Sequence, residues 1–335
     1  MAYTNTMPAG AFRGYGATQG TFAMESQLDE IAHKLNIDSI KLRQHNLITA
    51  EDEILIGREE HFHIIGSYAL DDCIEKVTEA LGYDSENQVI EQSQSEGPIK
   101  RGVGFAATMQ ASGLAKIHLA TVKLSLLSNG RYELRTGSVD VGTGSDTSLR
   151  QVAAQVLGTT VANMNIVSAD TQSTPFDAGS YASATMFITG QAMNLAAQKL
   201  RSLILQTAAK QLETNPKSLK LDKEKLHTPT GEITLQQLAQ KAAEQGDNLT
   251  VELSHTSDRA SLTFAFLGAE VEVDTETGRV KVLRCVEAID IGTAINPRIC
   301  RGQATGGLAM GIGYAIAEEL RFDSQGKILN PGLRT

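Results

Sequence analysis

The sequence predicts an α+β fold: mixed, largely antiparallel sheets with packed helices, in two subdomains. Three observations carry this. Residues 117–127 alternate in the strand sense, turn at Ser128-Asn129-Gly130 and return as residues 132–139, which is a hairpin pattern. Residues 261–273 and 279–291 repeat the arrangement around Asp274-Thr275-Glu276-Thr277-Gly278. Between these strand pairs lie stretches whose apolar residues recur at helical spacing, and strands and helices grouped in this way read as α+β.

Taken in order, residues 1–20 are rich in Gly and Ala and contain Met7-Pro8-Ala9-Gly10, a composition that predicts a turn-rich loop. From Gly20 to Leu47, the residues Phe22, Met24, Leu28, Ile31, Ala32, Leu35, Ile40 and Leu42 predict two amphipathic helices joined at residues 36–38, with Asp38 capping the second. A helix is expected over 70–81. Residues 86–97, with only Val89 and Ile90 apolar among Gln, Ser and Glu, read as a linker between domains. Further helices are expected over 148–157, 190–212, 235–245 and 302–318. The last holds Gly306, Gly307, Gly311 and Gly313, which weaken a helix unless something must approach its backbone. No fixed-period repeat runs through the chain.

Composition narrows the function. The 335 residues suffice for a packed core and two domains. The formal charge of -9 argues against a nucleic-acid partner, since phosphate contacts need clustered Lys and Arg. No apolar run of membrane-spanning length and no signal-peptide pattern occurs, so a soluble cytoplasmic protein is expected, with no membrane partner. Cys73, Cys285 and Cys300 are far apart and form no C-x-x-C pair, so an iron–sulfur centre would have to belong to a partner.

Four segments combine Gly with small polar residues: 10–20, 137–147, 177–191 and 302–313. Backbone N–H groups bare of side chains can bind phosphate or a polar heterocycle, so several such loops suggest a large polar cofactor. Gly14-Tyr15-Gly16-Ala17-Thr18-Gln19-Gly20 imitates a dinucleotide fingerprint, but its last spacing is one residue too long and no apolar strand precedes it. That disfavours a nicotinamide-dependent dehydrogenase.

Three groups of motifs carry a resemblance. Gly10-Ala11-Phe12-Arg13-Gly14-Tyr15-Gly16 with Gln19-Gly20 is followed by Asp29-Glu30-Ile31-Ala32 and Arg43-Gln44-His45-Asn46-Leu47. Then come Asp177-x-Gly179-Ser180-x-x-Ser183 with Gly190-Gln191-Ala192, and finally Ile295-Asn296-Pro297, Gly302-Gln303, Gly306-Gly307, Met310-Gly311 and Glu318-Glu319-Leu320. In this order the motifs resemble the C-terminal part of the molybdopterin-binding subunit of the xanthine dehydrogenase and aldehyde oxidase family. The resemblance implies that residues 1–96 hold the end of a first molybdopterin-binding domain with its linker. Residues 97–335 would form a second such domain, cut short at its C-terminus.

The resemblance also implies a cofactor, molybdopterin or molybdopterin cytosine dinucleotide with molybdenum, in an enzyme that hydroxylates a purine, another N-heterocycle or an aldehyde. Gly142, Thr143, Gly144, Ser183, Thr185 and Gln303 are expected to bind the cofactor, and Arg13, Tyr15, Tyr181 and Ala182 the substrate. The implied partners are the remaining segment of the subunit, an iron–sulfur subunit and an FAD subunit, with a homodimer left open. Two departures stand out. Thr143 occupies a position where many relatives have Gln, and its hydroxyl reaches less far. Ala184 follows Ser183 where many bacterial relatives have Arg.

No catalytic residue and no metal ligand is expected from this chain. The family's general base is a buried Glu in a G-x-G-E motif, and no such string occurs. Glu318 and Glu319 read as a helix end, Asp140 and Asp177 as loop-structuring carboxylates, and His61-x-His63 as ordinary residues. The isolated chain is therefore expected to be inactive, with its Gly-rich loops partly exposed. A non-catalytic fragment that binds no cofactor is the competing expectation. Arg13 as a surface ion-pair residue, Tyr15 as a core aromatic and Gln303 as a helix-start side chain are the bland alternatives.

Overall fold

The computed structural model describes residues 3, 6, 10–55, 62–84, 89–90, 97–258 and 261–332. Helix α1 (Ala17–Leu35) opens the regular structure and ends at Asn36, whose left-handed φ of 52° turns the chain. Helix α2 (Ser39–Asn46) follows, and Asp38 caps it by accepting the N–H groups of Ile40 and Lys41. Both helices were expected, although α1 starts within the predicted loop, three residues before Gly20. Strands β1 (Glu53–Leu55) and β2 (Phe62–Ile64) pair antiparallel, and helix α3 (Leu70–Leu81) comes next.

Residues 86–88 and 91–96 of the expected linker region lie outside the described residues. Within it, β4 (Val89–Ile90) pairs with β3 (Tyr83–Asp84). The long strand β5 (Ile99–Ser112) joins β13 (Ser261–Asp274) and β14 (Val280–Asp290) in an antiparallel sheet of order β14-β13-β5. Helix α3 lies on that sheet, and Ile40, Ile74, Val77, Leu81, Phe105, Phe264 and Phe266 form its core.

A second body is built on β6 (Leu119–Leu126), β7 (Tyr132–Thr136), β8 (Met164–Ser168) and β12 (Thr250–Thr256), in the order β12-β6-β7-β8. Its one parallel pair is β7 with β8, and helix α4 (Ser145–Leu157) makes the crossover between them. A π-helical turn, Thr185–Thr189, runs directly into α5 (Gly190–Gln211). The small sheet β9 (Lys220–Asp222), β10 (Lys225–Thr228) and β11 (Gly231–Thr234) and helix α6 (Leu235–Glu244) complete this body. Val122, Leu124, Leu134, Leu149, Leu157, Met193, Leu200 and Ile204 are fully buried in its core.

Helix α7 (Pro297–Ile316) closes the regular structure, capped by Asn296 with Pro297 in its first turn. It begins five residues before the expected start at Gly302. The α+β class and the largely antiparallel sheets agree with the sequence reading. Packing groups the chain by core: β5 joins α3 and β13 across residues 96 and 97. As a division between sequence modules, that boundary stays a proposal.

One buried ion cluster ties α1, α2 and β5 together. Arg43, with a side chain only 1% exposed, pairs with Glu25 at 2.7 Å and with Asp29 at 2.9 Å. Glu25 also accepts the Ala107 N–H at 3.1 Å. Helix α1 is thereby held against the three-stranded sheet.

Candidate functional site

Residues 13, 142 and 303, far apart in sequence, meet at one edge of the molecule. The Arg13 guanidinium donates from Nη2 to the Gln303 carbonyl at 3.3 Å, and Gln303 Nε2 donates to the Gly142 carbonyl at 3.3 Å. Arg13 lies across the backbone of α7: a Cβ on Gly307 would stand 3.5 Å from its Nη1, and one on Gly306 4.0 Å. Gly306 and Gly307 thus admit a guanidinium, which is the close approach their cost in helix stability requires. Phe12 and Tyr314 stack with centroids 5.3 Å apart and fix the same contact from the other side.

The loop before α4 is organised by Asp140. One carboxylate oxygen accepts the N–H groups of Gly142 and Gly144 at 2.9 and 3.0 Å, and the other accepts that of Asp146 at 3.3 Å. Asp140 is therefore the loop-structuring residue that its setting suggested. The Gly142 and Gly144 amides are thus engaged within the loop by Asp140. Gly144 has a φ of 72°, and a Cβ there would lie 2.6 Å from Ile299 of α7, so it is the point where helix and loop press together. Gly142, by contrast, faces open space, and Val141 and Thr143 are exposed.

The second polar turn, residues 177–185, is tied to this loop by the Val139 N–H donating to Ser180 Oγ at 2.9 Å. Gly137 lies so close to Pro175 and Asp177 that no side chain could replace its hydrogen. Asp177 accepts the Gly179 N–H at 2.9 Å and the Thr189 hydroxyl at 3.4 Å, again a structuring role. Ala182 and Ser183 both have positive φ, 49° and 53°, an uncommon pair for residues with side chains. Tyr181 is 38% exposed at the outer edge, and Ser183 is exposed with its hydroxyl bonded to no described residue. Thr185 is half-buried at the start of the π-helical turn.

Tyr15 is 63% exposed with a φ of 48°, so it is no core aromatic. Its ring makes no ring contact among the described residues. Glu287 on β14 went unnoticed in the sequence. It is half-buried, and burial raises its pKa while the positive charge of Arg13 lowers it. Nothing in its flanking residues signals that neighbourhood, which depends on the strand register. His61 lies outside the described residues. Among the described residues, no three His, Cys, Asp or Glu side chains gather as metal ligands, and no helix is long and apolar enough to cross a membrane.

Comparison with known proteins gives these loops a context. The pattern of a molybdopterin cofactor-binding domain matches residues 76–335, and that of a second molybdopterin cofactor-binding domain matches residues 1–47. The chain belongs to the molybdopterin-binding family of xanthine dehydrogenases and aldehyde oxidases. It is 32% identical over 345 aligned residues to the xanthine dehydrogenase molybdenum-binding subunit of Escherichia coli O157:H7, covering 99% of this chain and 45% of that subunit. It is 28% identical to the carbon monoxide dehydrogenase large chain of Hydrogenophaga pseudoflava, covering 98% of this chain and 43% of that one. Among solved structures, quinoline 2-oxidoreductase from Pseudomonas putida 86 shares the fold with a TM-score of 0.82 and 24% identity, over 96% of this chain and 43% of that chain. This member of the molybdopterin-binding family thus spans less than half the length of these relatives.

The site's chemistry fits a molybdopterin. Gly142 leaves open space for close approach, its own N–H and C=O being engaged by Asp140 and Gln303, and the Thr143 and Ser183 hydroxyls are exposed without a partner among the described residues. Arg13 adds a fixed positive charge, suited to an anionic or carbonyl-rich ligand. The two departures from the family pattern differ in kind. Thr143 is an exposed, shortened reach, whereas Ala184 is 4% exposed and packs with Ala120 and Ile188. An Arg could not enter that apolar cluster without opening it.

Proposed function

We propose that this chain is the cofactor-holding C-terminal portion of a molybdenum hydroxylase that oxidises a purine, another N-heterocycle or an aldehyde with oxygen from water. The observation that carries the reading is the link from Arg13 through Gln303 to Gly142, which gathers two family motifs and the glycine loop at residues 137–147 at one exposed, polar edge. When bound, the molybdenum cofactor supplies a centre that accepts two electrons from the substrate carbon.

The chain's own residues supply position and charge. Gly142, Thr143, Gly144, Ser183, Thr185 and Gln303 hold the cofactor in this reading, with Gly142 giving access and Gly144 joining the loop to α7. Arg13 orients polar substrate atoms, and the exposed ring of Tyr15 offers a flat face to a heterocycle. Tyr181 and Ala182 form the opposite wall. Asp140 and Asp177 are engaged in loop hydrogen bonds, so the proton-accepting base is assigned to none of the residues described.

Partners follow from the same reading. The remaining segment of the subunit covers the apolar residues left in the open, such as Phe22 (73% exposed) on α1 and Ile316 (50%) on α7. Iron–sulfur and FAD subunits of the cytoplasmic assembly carry the electrons away.

Metal analysis and pterin fluorescence on the chain alone, and on the chain assembled with the rest of the subunit, test the proposal. Stoichiometric molybdenum and pterin in the assembly, lost on Arg13→Ala with Gln303→Ala, is the expected result. Neither component in a correctly assembled sample would instead make the chain a scaffold that folds without cofactor.

A further inference from the structure

His118 is a buried imidazole that the functional reading does not use. It stands one residue before β6 and is 2% exposed. Its Nδ1 accepts the Leu114 N–H at 2.7 Å, which places the proton of the neutral ring on Nε2. Burial lowers its pKa, with Asp177 opposing, so the ring is neutral at neutral pH. Nε2 is buried and has no hydrogen-bond partner among the described residues. A buried donor without an acceptor is costly, so the position is not filled for stability alone.

The neighbour of this ring is the polar turn of the site. The His118 and Tyr181 ring centroids are 4.6 Å apart, with the planes inclined at 57°. Five residues upstream, the Gly113 N–H donates to the Ala182 carbonyl at 2.8 Å. Gly113 has a φ of 78° and lies against Phe187 and Ile188, so it too is fixed. Residues 113–118 therefore grip adjacent points of the turn, the Tyr181 ring and the Ala182 carbonyl. A grip is needed because Ala182 and Ser183 occupy left-handed backbone that residues with side chains resist.

We propose that His118 is a positioning residue: its ring sets the orientation of Tyr181, and its bond to Leu114 holds the segment that fixes Ala182, so together they set the substrate-facing wall. The proposal rests on the functional reading above, in which Tyr181 and Ala182 face the substrate.

Two variants separate positioning from mere packing. His118→Asn keeps an acceptor for the Leu114 N–H and removes the ring, whereas His118→Phe keeps a ring and removes the acceptor. In the chain labelled with 3-fluorotyrosine, the Tyr181 fluorine resonance, identified by its loss in Tyr181→Phe, should move in His118→Asn while the Leu114 amide stays protected from hydrogen exchange. In the assembled enzyme the same variant should retain molybdenum and raise KM about tenfold, with kcat changing far less. His118→Phe should expose the Leu114 amide and leave the KM change smaller. A folded His118→Asn with an unmoved fluorine signal and an unchanged KM would overturn the proposal. A wild-type assembly without molybdenum would defeat the functional reading alone, and the fluorine signal would still decide whether His118 orients Tyr181.

Discussion

Helices α5 and α7 are both long, apolar and rich in small residues, yet one lies in the core and the other at the rim. On α5, Ala192, Met193, Ala196, Ala197, Leu200 and Ile204 are buried against β6, β12 and α4. On α7 no residue is buried. The small residues of α5 are mainly alanines, which favour helix and let neighbouring elements approach. Those of α7 are mainly glycines, each costing about 1 kcal/mol relative to Ala, and two of them, Gly306 and Gly307, admit the Arg13 side chain. One helix is stabilised by what it buries. The other is held by its Asn296 cap, the Ile299 contact on Gly144 and the Phe12–Tyr314 stack.

This contrast can be tested by denaturation of the isolated chain, beginning with the largest effect. The site half depends on its buried ion cluster, so Arg43→Ala should lose about 3–5 kcal/mol by leaving Glu25 uncompensated. A loss under about 1 kcal/mol would mean that the cluster is not what anchors α1 to β5. In the core half, Leu200→Ala should lose about 2–5 kcal/mol through transfer and cavity costs. A loss no greater than that of rim substitutions would erase the difference between α5 and α7.

At the junction of loop and rim helix, Gly144→Ala should cost about 1–3 kcal/mol, since it meets both a positive φ and Ile299. Molybdenum content of the assembled enzyme should fall with it, a readout that Leu200→Ala should affect only through overall stability. A pH effect of smaller size is expected from His118. Its native pKa lies below the usual imidazole value, so below about pH 6.5 the unfolded chain binds a proton that the native ring refuses. The associated stability is present above that pH and lost on acidification, and His118→Asn should flatten this part of the melting-temperature profile. Smallest of all, Ile316→Ala on α7 should change stability by no more than about 0.5 kcal/mol. A large loss there would show that α7 buries a face after all.

Legibility in the sequence followed how local each signal was. Asp38 as a cap, the Asn129-Gly130 hairpin and the α5 period depend on neighbouring residues and were readable. Strand β5 was missed because Ile99–Ser112 lacks a clean alternation; its partner β13 lies some 160 residues away in the register Gly268↔Phe105. The start of α7 was readable from Asn296-Pro297, but the glycines drew the expected boundary inward. At the site, the resemblance marked Arg13, Gln303 and Gly142 as functional, but only the fold showed that they bond to each other. His118 had no local signal, because its meaning lies in Tyr181, more than sixty residues downstream.

The π-helical turn at Thr185–Thr189 bears on how far the length of the turn before it can change. A π turn holds one more residue per hydrogen-bonded loop than an α turn, and a single inserted residue can be accommodated in this way without unwinding the helix beyond it. Placed between the turn at residues 177–184 and the start of α5, it acts as a slack link. One-residue gains and losses in the turn can be taken up there, leaving Ala192 and Leu200 in register with the core. A turn one residue longer or shorter would then leave α5 packed in the core as it is.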